Sequence, residues 1–248
     1  MPTGAAQILY LPGTALPAAG RATNWLVAAE LAELALVGDE RRRGEWLAGR
    51  WAAKQLLVRA GIAHRAAGVE ICSRDAQRRG SRPQVRVAGQ PLAGSLSIAH
   101  TVKGVLVALV TDGRRTVGVD LVDLAEVARL VADGRGRGFA RLWFTPLERC
   151  WIAADRAKRT ATLWGIKEAV YKACQLGEGW APRDVVVWPR AAGGFRCQYR
   201  GRAIDGLHLE VSQIDGQVTV LASVNDPAEQ TKAFRDSLQH EFILGQAS

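Results

Sequence analysis

Glu168 and Lys172 stand four residues apart in the stretch Trp164-Gly165-Ile166-Lys167-Glu168-Ala169-Val170-Tyr171-Lys172. Leu163, Ile166, Val170, Tyr171 and Cys174 recur at helical spacing with no proline among them, which predicts a buried helix between Thr160 and Cys174. On it Glu168 and Lys172 share a face, Lys167 is displaced by about 100° to the side, and Trp164 precedes Glu168 by one turn. An aromatic, a carboxylate and an ammonium along one stripe suit the wall of a cleft where a hard cation meets a phosphate. An ordinary solvated Glu–Lys pair is the plainer alternative.

A second acid comes from a different element. Thr116-Val117-Gly118-Val119-Asp120-Leu121 reads as an apolar strand with a carboxylate near its end, and Gly118 lets another backbone approach. A buried Asp120 needs a cation partner, either Mg²⁺ or a plain Arg or Lys. Two more candidates bind anions. Arg82 lies in Arg78-Arg79-Gly80-Ser81-Arg82-Pro83, a turn able to offer backbone amides and guanidinium to a phosphate, or else a solvated basic loop. His100 closes the strand Leu96 to Thr101, where a ligand can reach it, although a lone His is more often structural.

Around these residues the elements follow in order. Gln7 to Leu11 reads as an edge strand, and Thr23 to Val37 as a first helix. A second helix, N-capped by Asp39, runs to about Arg59, and the Ala48-Gly49 pair inside it asks for something packed against its backbone. Val69 to Cys72 is a short strand, and Leu96 to Thr101 with Val105 to Val110 a hairpin. A helix begins at Val122 with Asp123 and Glu126 as capping or surface acids. Residues 133 to 138 form a Gly/Arg loop, and Thr145 caps a helix to about Arg156 with Glu148 completing a capping box. After a loop at Gln175 to Trp180, strands at Val185–Trp188, Phe195–Tyr199, Leu207–Val211 and Val218–Val224 make one antiparallel meander, and a loose helix starts near Asp226. Helix, glycine loop and strand recur about 115 residues apart, the mark of an internal duplication.

Composition sets the outer limits. With 48% hydrophobic and 23% charged residues over 248 positions, the chain can bury a large core without staples. Its four cysteines form no C-x-x-C pair, which argues against zinc or a disulfide framework and fits a reducing cytoplasm. No signal peptide or membrane span is visible. The formal net charge of +9 points to an anionic partner without naming it.

Glu45 to Arg50, Ser97 to Thr101, Gly118 to Leu121 and Trp164 to Lys172, in this order and spacing, resemble the surfactin-synthetase-type 4′-phosphopantetheinyl transferases over about residues 39 to 190. The resemblance implies an α/β (α+β) fold with a pseudo-twofold pair of subdomains, 1–115 and 116–248. Each is a small antiparallel sheet with a long helix, the cleft lies between them, and the second carries the metal. It implies transfer of the phosphopantetheine arm of coenzyme A to a serine of an apo acyl or peptidyl carrier protein, with release of 3′,5′-ADP. Asp120 and Glu168 would bind Mg²⁺, with Mn²⁺ as a substitute. Lys172 and Lys167 would meet the pyrophosphate, and His100, Arg82, Arg42 and Arg50 the phosphates of coenzyme A, Arg82 the 3′-phosphate. Glu168 is also the candidate to take the serine proton. Many members carry a second acid two residues after the strand aspartate, where this chain has Val122, and a serine before the histidine, where it has Ala99. The expected chain is a cytoplasmic monomer whose carrier partner is acidic, with no nucleic acid or membrane involved. The competing readings are a basic nucleic-acid-binding module and an inactive carrier-binding relative.

Overall fold

The computed structural model describes residues 5–15, 23–74, 80–133, 135–176 and 181–225. Two runs of elements follow the same plan. The first is strand β1 (Gln7–Pro12), helices α1 (Ala28–Ala35) and α2 (Glu40–Arg59), then strands β2 (Val69–Arg74), β3 (Gly80–Val87), β4 (Gln90–Pro91), β5 (Ser95–Thr101) and β6 (Gly104–Val110). The second is strand β7 (Arg115–Asp123), helices α3 (Leu124–Ala132), α4 (Arg135–Trp143), α5 (Pro146–Ile152) and α6 (Arg156–Cys174), then strands β8 (Val185–Pro189), β9 (Phe195–Tyr199), β10 (Arg202–Ala203), β11 (Leu207–Ile214) and β12 (Gln217–Asn225).

Both runs close their main sheet in the same way. The order is β1-β6-β5 in one and β7-β12-β11 in the other, all antiparallel. The short strands form two further sheets, β2-β3-β4 and β8-β9-β10. Helix α2 packs its apolar residues Ala52, Ala53, Leu56 and Leu57 onto β1 and β6, and α6 packs Leu163, Ile166, Ala169, Val170 and Ala173 onto β7 and β12. The opposite faces of the two sheets meet in a third core of Ala99, Leu106, Ala108, Val110, Val117, Val119, Leu121 and Leu221. Alternation along β7 explains this: odd residues face the other sheet, even residues face α6.

Strands β5 and β7 lie side by side without pairing as a ladder. Serine hydroxyls bridge them: Ser95 Oγ accepts from Val117 N (2.8 Å) and Ser97 Oγ from Val119 N (3.0 Å). That seam satisfies buried amides that would otherwise cost free energy.

Local signals explain the helix starts. Asp39 caps α2 by accepting from Arg42 N, Asp123 caps α3, Asp155 caps α6, and Thr145 with Glu148 forms the capping box of α5.

Several expectations are corrected. Residues 135–138, part of the stretch 133–138 expected as a loop, open helix α4, because Phe139 and Trp143 pack on each other and on Trp164 and offset the glycine propensity. The four C-terminal strands do not form one meander: β12 takes β7 as its second neighbour, which buries both faces of an apolar strand. Gly80 to Pro83 belong to β3 rather than a turn, and Pro83 sits opposite the register shift between Cys72 and Arg74, where a missing amide is tolerated. Strand β7 runs to Asp123, the first helix shortens to α1 behind a single 3₁₀ turn at Thr23–Trp25, and α5 stops at Ile152 because α6 already starts at Arg156. The tail from Asp226, and Gly177 to Trp180, lie outside the described residues. Among the described residues no helix is long and apolar enough to cross a membrane.

Candidate active site

Close approach of α6 to β7 builds the site. A Cβ on Gly118 would overlap the carbonyl oxygen of Ala169 and lie 2.6 Å from Ala173 N; one on Gly165 would lie 2.9 Å from Val220 Cγ2. Only glycine at both positions lets helix and strand touch backbone to side chain. Thr116 Oγ1 donates to Ala173 O (2.6 Å) at one end of the contact. At the other, Lys172 Nζ donates to Val119 O (2.8 Å) and to Asp120 Oδ1 (2.9 Å).

The cation partner that a half-buried Asp120 requires is therefore Lys172, the plainer of the two partners open to it in the sequence. Glu168, one turn earlier on α6, is near enough for the charge of Asp120 to act on it. Burial raises the Asp120 carboxyl above its usual range, with Lys172 and His100 opposing. Burial likewise raises Glu168, Asp120 adds to the rise, and Lys172 opposes it. Two carboxylates, of which Asp120 adds to the rise of Glu168, beside the Lys172 ammonium make an oxygen donor pair that a hard divalent cation would suit. Among the described residues no group of three or more His, Cys, Asp and Glu side chains is arranged for a metal. Val122 faces α6 as Asp120 does, but it is packed into the core against Gly165 and offers no oxygen. Asp123 points away, capping α3 and pairing with Lys103 at 2.8 Å.

A cleft of about 840 Å³ opens beside this cluster, walled by α2, the ends of β2 and β3, β5, β7 and the C-terminal turn of α6. Arg42, Arg82, His100 and Lys172 line it. His100 stands at its edge with 41% of its side chain exposed and Nδ1 4.0 Å from Glu45 Oε2. Partial desolvation lowers its pKa, Glu45 and Asp120 pull the other way, and Lys172 adds to the lowering. Arg82 donates to Ser95 Oγ, tying the cleft wall to the seam between the sheets.

Two residues singled out in the sequence are placed elsewhere, and a third is committed to other partners. Lys167 is fully buried on the far side of α6, ion-paired with Glu148 Oε1 (3.0 Å) and donating to the carbonyls of Pro182 and Val185. Its displacement by about 100° from Glu168 carries it into the core, away from any phosphate. Arg50 borders the cleft, but its guanidinium is committed to Glu33 Oε1 (2.9 Å), Ile71 O (2.8 Å) and Ser73 Oγ (2.9 Å). Trp164 joins the aromatic cluster of Phe139 and Trp143 rather than the cleft wall.

Glu45, Trp46, Ser97 and Tyr171 also line the cleft, and the sequence assigns none of them a contact with ligand. The signal was present for two of them: Arg42, Glu45, Trp46 and Gly49 follow the i, i+3, i+4, i+7 rule and form one face of α2. The packing expected at Gly49 is Ile98, whose Cγ2 would lie 3.1 Å from a Cβ there.

Comparison with known proteins gives four similarities. Residues 116–222 match the sequence profile described as the 4′-phosphopantetheinyl transferase superfamily. The chain is similar to a holo-[acyl-carrier-protein] synthase of Geobacter sulfurreducens, 38% identical over 91 residues, which is 35% of this chain and 71% of the relative. A protein of the same name from Anaeromyxobacter dehalogenans is 33% identical over 124 residues, 45% of this chain and 95% of the relative. The structure of Helicobacter pylori holo-[acyl-carrier-protein] synthase in complex with coenzyme A covers 44% of this chain and 99% of its own, at 19% identity and a TM-score of 0.38.

Proposed function

The chain belongs to the 4′-phosphopantetheinyl transferase superfamily, and from that premise we propose that it moves the 4′-phosphopantetheine arm of coenzyme A onto a serine of an apo carrier protein, releasing 3′,5′-ADP. Within the superfamily we assign it to the surfactin-synthetase type, in which one chain holds two related halves, 1–115 and 116–248. The observation that carries the reading is the meeting of Asp120, Glu168 and Lys172 beside a cleft that also presents Arg42, Arg82 and His100.

The chemistry suits that set. The serine oxygen bonds to the phosphorus next to the pantetheine arm, the bond from that phosphorus to the bridging oxygen breaks, and 3′,5′-ADP departs with the electron pair. Glu168 accepts the serine proton directly or through a water, a task its raised pKa favours. Lys172 faces the pyrophosphate, His100 and Arg42 bind phosphate oxygens, and Arg82 takes the 3′-phosphate. Asp120 and Glu168 would hold Mg²⁺, or Mn²⁺ in its place, and the ion when bound supplies charge neutralisation of the diphosphate. Val122 leaves that ion with two protein carboxylates, a number Mg²⁺ accepts with waters retained. The reading carries with it a cytoplasmic monomer and an acidic carrier protein drawn to a chain of net charge +9.

The test is to incubate the protein with coenzyme A, Mg²⁺ and an apo carrier protein and to weigh the carrier. A gain of one phosphopantetheine arm, lost on chelation of the metal, is expected. No gain with several carriers would refute the reading, and salt-sensitive RNA binding in the same preparation would replace it with a nucleic-acid module.

A further inference from the structure

Trp46 is one of two aromatic side chains, with Tyr171, in a cleft wall that also carries Arg42, Arg74, Arg82, His100 and Lys172. It lies on the face of α2 that borders the cleft, one turn from Arg42, and Ser73 and Arg74 at the end of β2 line the same cleft. Its indole is fixed on two sides. Nε1 donates to Glu33 Oε1 at 2.9 Å, and the guanidinium of Arg50 sits 4.5 Å from the ring centroid. Arg50 is in turn pinned by Glu33, Ile71 and Ser73, so rotating the ring would break its hydrogen bond to Glu33 and its contact with a buried guanidinium. A half-buried indole held this firmly loses little entropy when something stacks on it.

We infer that Trp46 is a specificity-determining residue, the platform on which the purine ring of the donor stacks, with Arg50 and Glu33 as positioning residues that hold it. The inference deepens the coenzyme A reading and rests on it. Two physical points favour a nucleobase over the pantetheine arm as the occupant. A base attached to phosphates matches an aromatic face flanked by Arg42, Arg74 and Arg82, whereas the thiol arm carries no charge for them to meet. Stacking on the indole also gains from the guanidinium behind it, because Arg50 draws electron density from the ring toward itself and leaves a better acceptor for an electron-rich purine.

The experiment measures binding of 3′,5′-ADP and of inorganic pyrophosphate by calorimetry to the wild-type protein, Trp46→Ala, Trp46→Phe and Glu33→Gln. Trp46→Ala is expected to weaken 3′,5′-ADP about 10- to 100-fold, the range found for loss of one base–aromatic stack, and to leave pyrophosphate within about twofold. Trp46→Phe keeps a π face and restores most of the affinity, while Glu33→Gln gives an intermediate loss confined to 3′,5′-ADP. Equal weakening of both ligands in Trp46→Ala, or no weakening of 3′,5′-ADP, would overturn the platform. Failure of the wild-type protein to bind 3′,5′-ADP at all would instead remove the coenzyme A reading on which it rests.

Discussion

The two halves of the molecule share a buried clamp and differ at the surface that clamp supports. In the first half, Lys54 Nζ of α2 pairs with Glu30 Oε2 (2.6 Å) and donates to Trp25 O, while Glu30 also accepts from Val27 N at the start of α1 and from Ile71 N on β2. In the second half, Lys167 Nζ of α6 pairs with Glu148 Oε1 and donates to the Pro182 and Val185 carbonyls, while Glu148 accepts from Thr145 N at the start of α5 and from Val187 N on β8. One lysine and one glutamate thus tie long helix, short helix and strand together twice. The clamp belongs to the fold. The chemistry is what the halves do not share: Gln55 and Arg59 follow Lys54 where Glu168 and Lys172 follow Lys167. Counting back from the strand-end pairs Pro12–Gly104 and Asp123–Gln217, buried Leu9 stands where Asp120 does. The two frames are alike, and only the second carries acids at these positions.

Breaking the acid pair tests that asymmetry most severely. Asp120→Ala and Glu168→Ala are each expected to cut transfer by about 10³-fold or more, with the unfolding midpoint near that of wild type, while Gln55→Ala keeps activity within about twofold. A comparable loss in Gln55→Ala would mean that the first half is catalytic too. Next come the clamps. Lys54→Met and Lys167→Met each strand a buried carboxylate and are expected to lower unfolding stability by about 3–5 kcal/mol in urea titrations. Loss of activity without loss of stability in Lys167→Met would restore that residue to phosphate binding.

A glycine in each half separates backbone from side-chain contact. Gly118→Ala pushes a methyl into the Ala169 carbonyl, and about 1–3 kcal/mol of stability should go, along with activity as α6 shifts. Gly49→Ala meets only the Ile98 methyl and gains helix propensity of roughly 1 kcal/mol, so its midpoint should stay close to wild type. Identical behaviour of the two variants would contradict the helix–strand packing described for β7.

The smallest effect concerns one of the links between halves, Asp123 of β7 with Lys103 of the β5–β6 turn. Burial tends to raise the Asp123 carboxyl, but Lys103 and the amides of Ala125 and Glu126 outweigh it and hold it below its usual value. A carboxyl depressed in the folded state contributes stability above its unfolded pKa near 3.9 and loses it as pH falls through the folded value. Asp123→Asn, still a good cap, should therefore cost about 0.5–1 kcal/mol at pH 7, and the gap to wild type should close as pH falls through the depressed folded value. A gap that persists at low pH would assign the effect to the cap instead.

Much of this was legible in the chain. The periodicity from Thr160 to Cys174 and the caps Asp39, Asp123 and Thr145 determined their helices, because local hydrogen bonds and side-chain spacing decide such elements with no help from distant residues. Asp120, Glu168 and Lys172 were identifiable for a related reason, since a charged group set in an apolar run must find a partner. Tertiary structure alone decided which partner: Lys172 for Asp120, Glu148 for Lys167 and Glu33 for Arg50. It also decided that α4 is a helix and that β12 pairs with β7. Each of those outcomes depends on residues far apart in the sequence meeting across a core, and no local pattern encodes where a long-range contact will fall or which side of a helix it will bury.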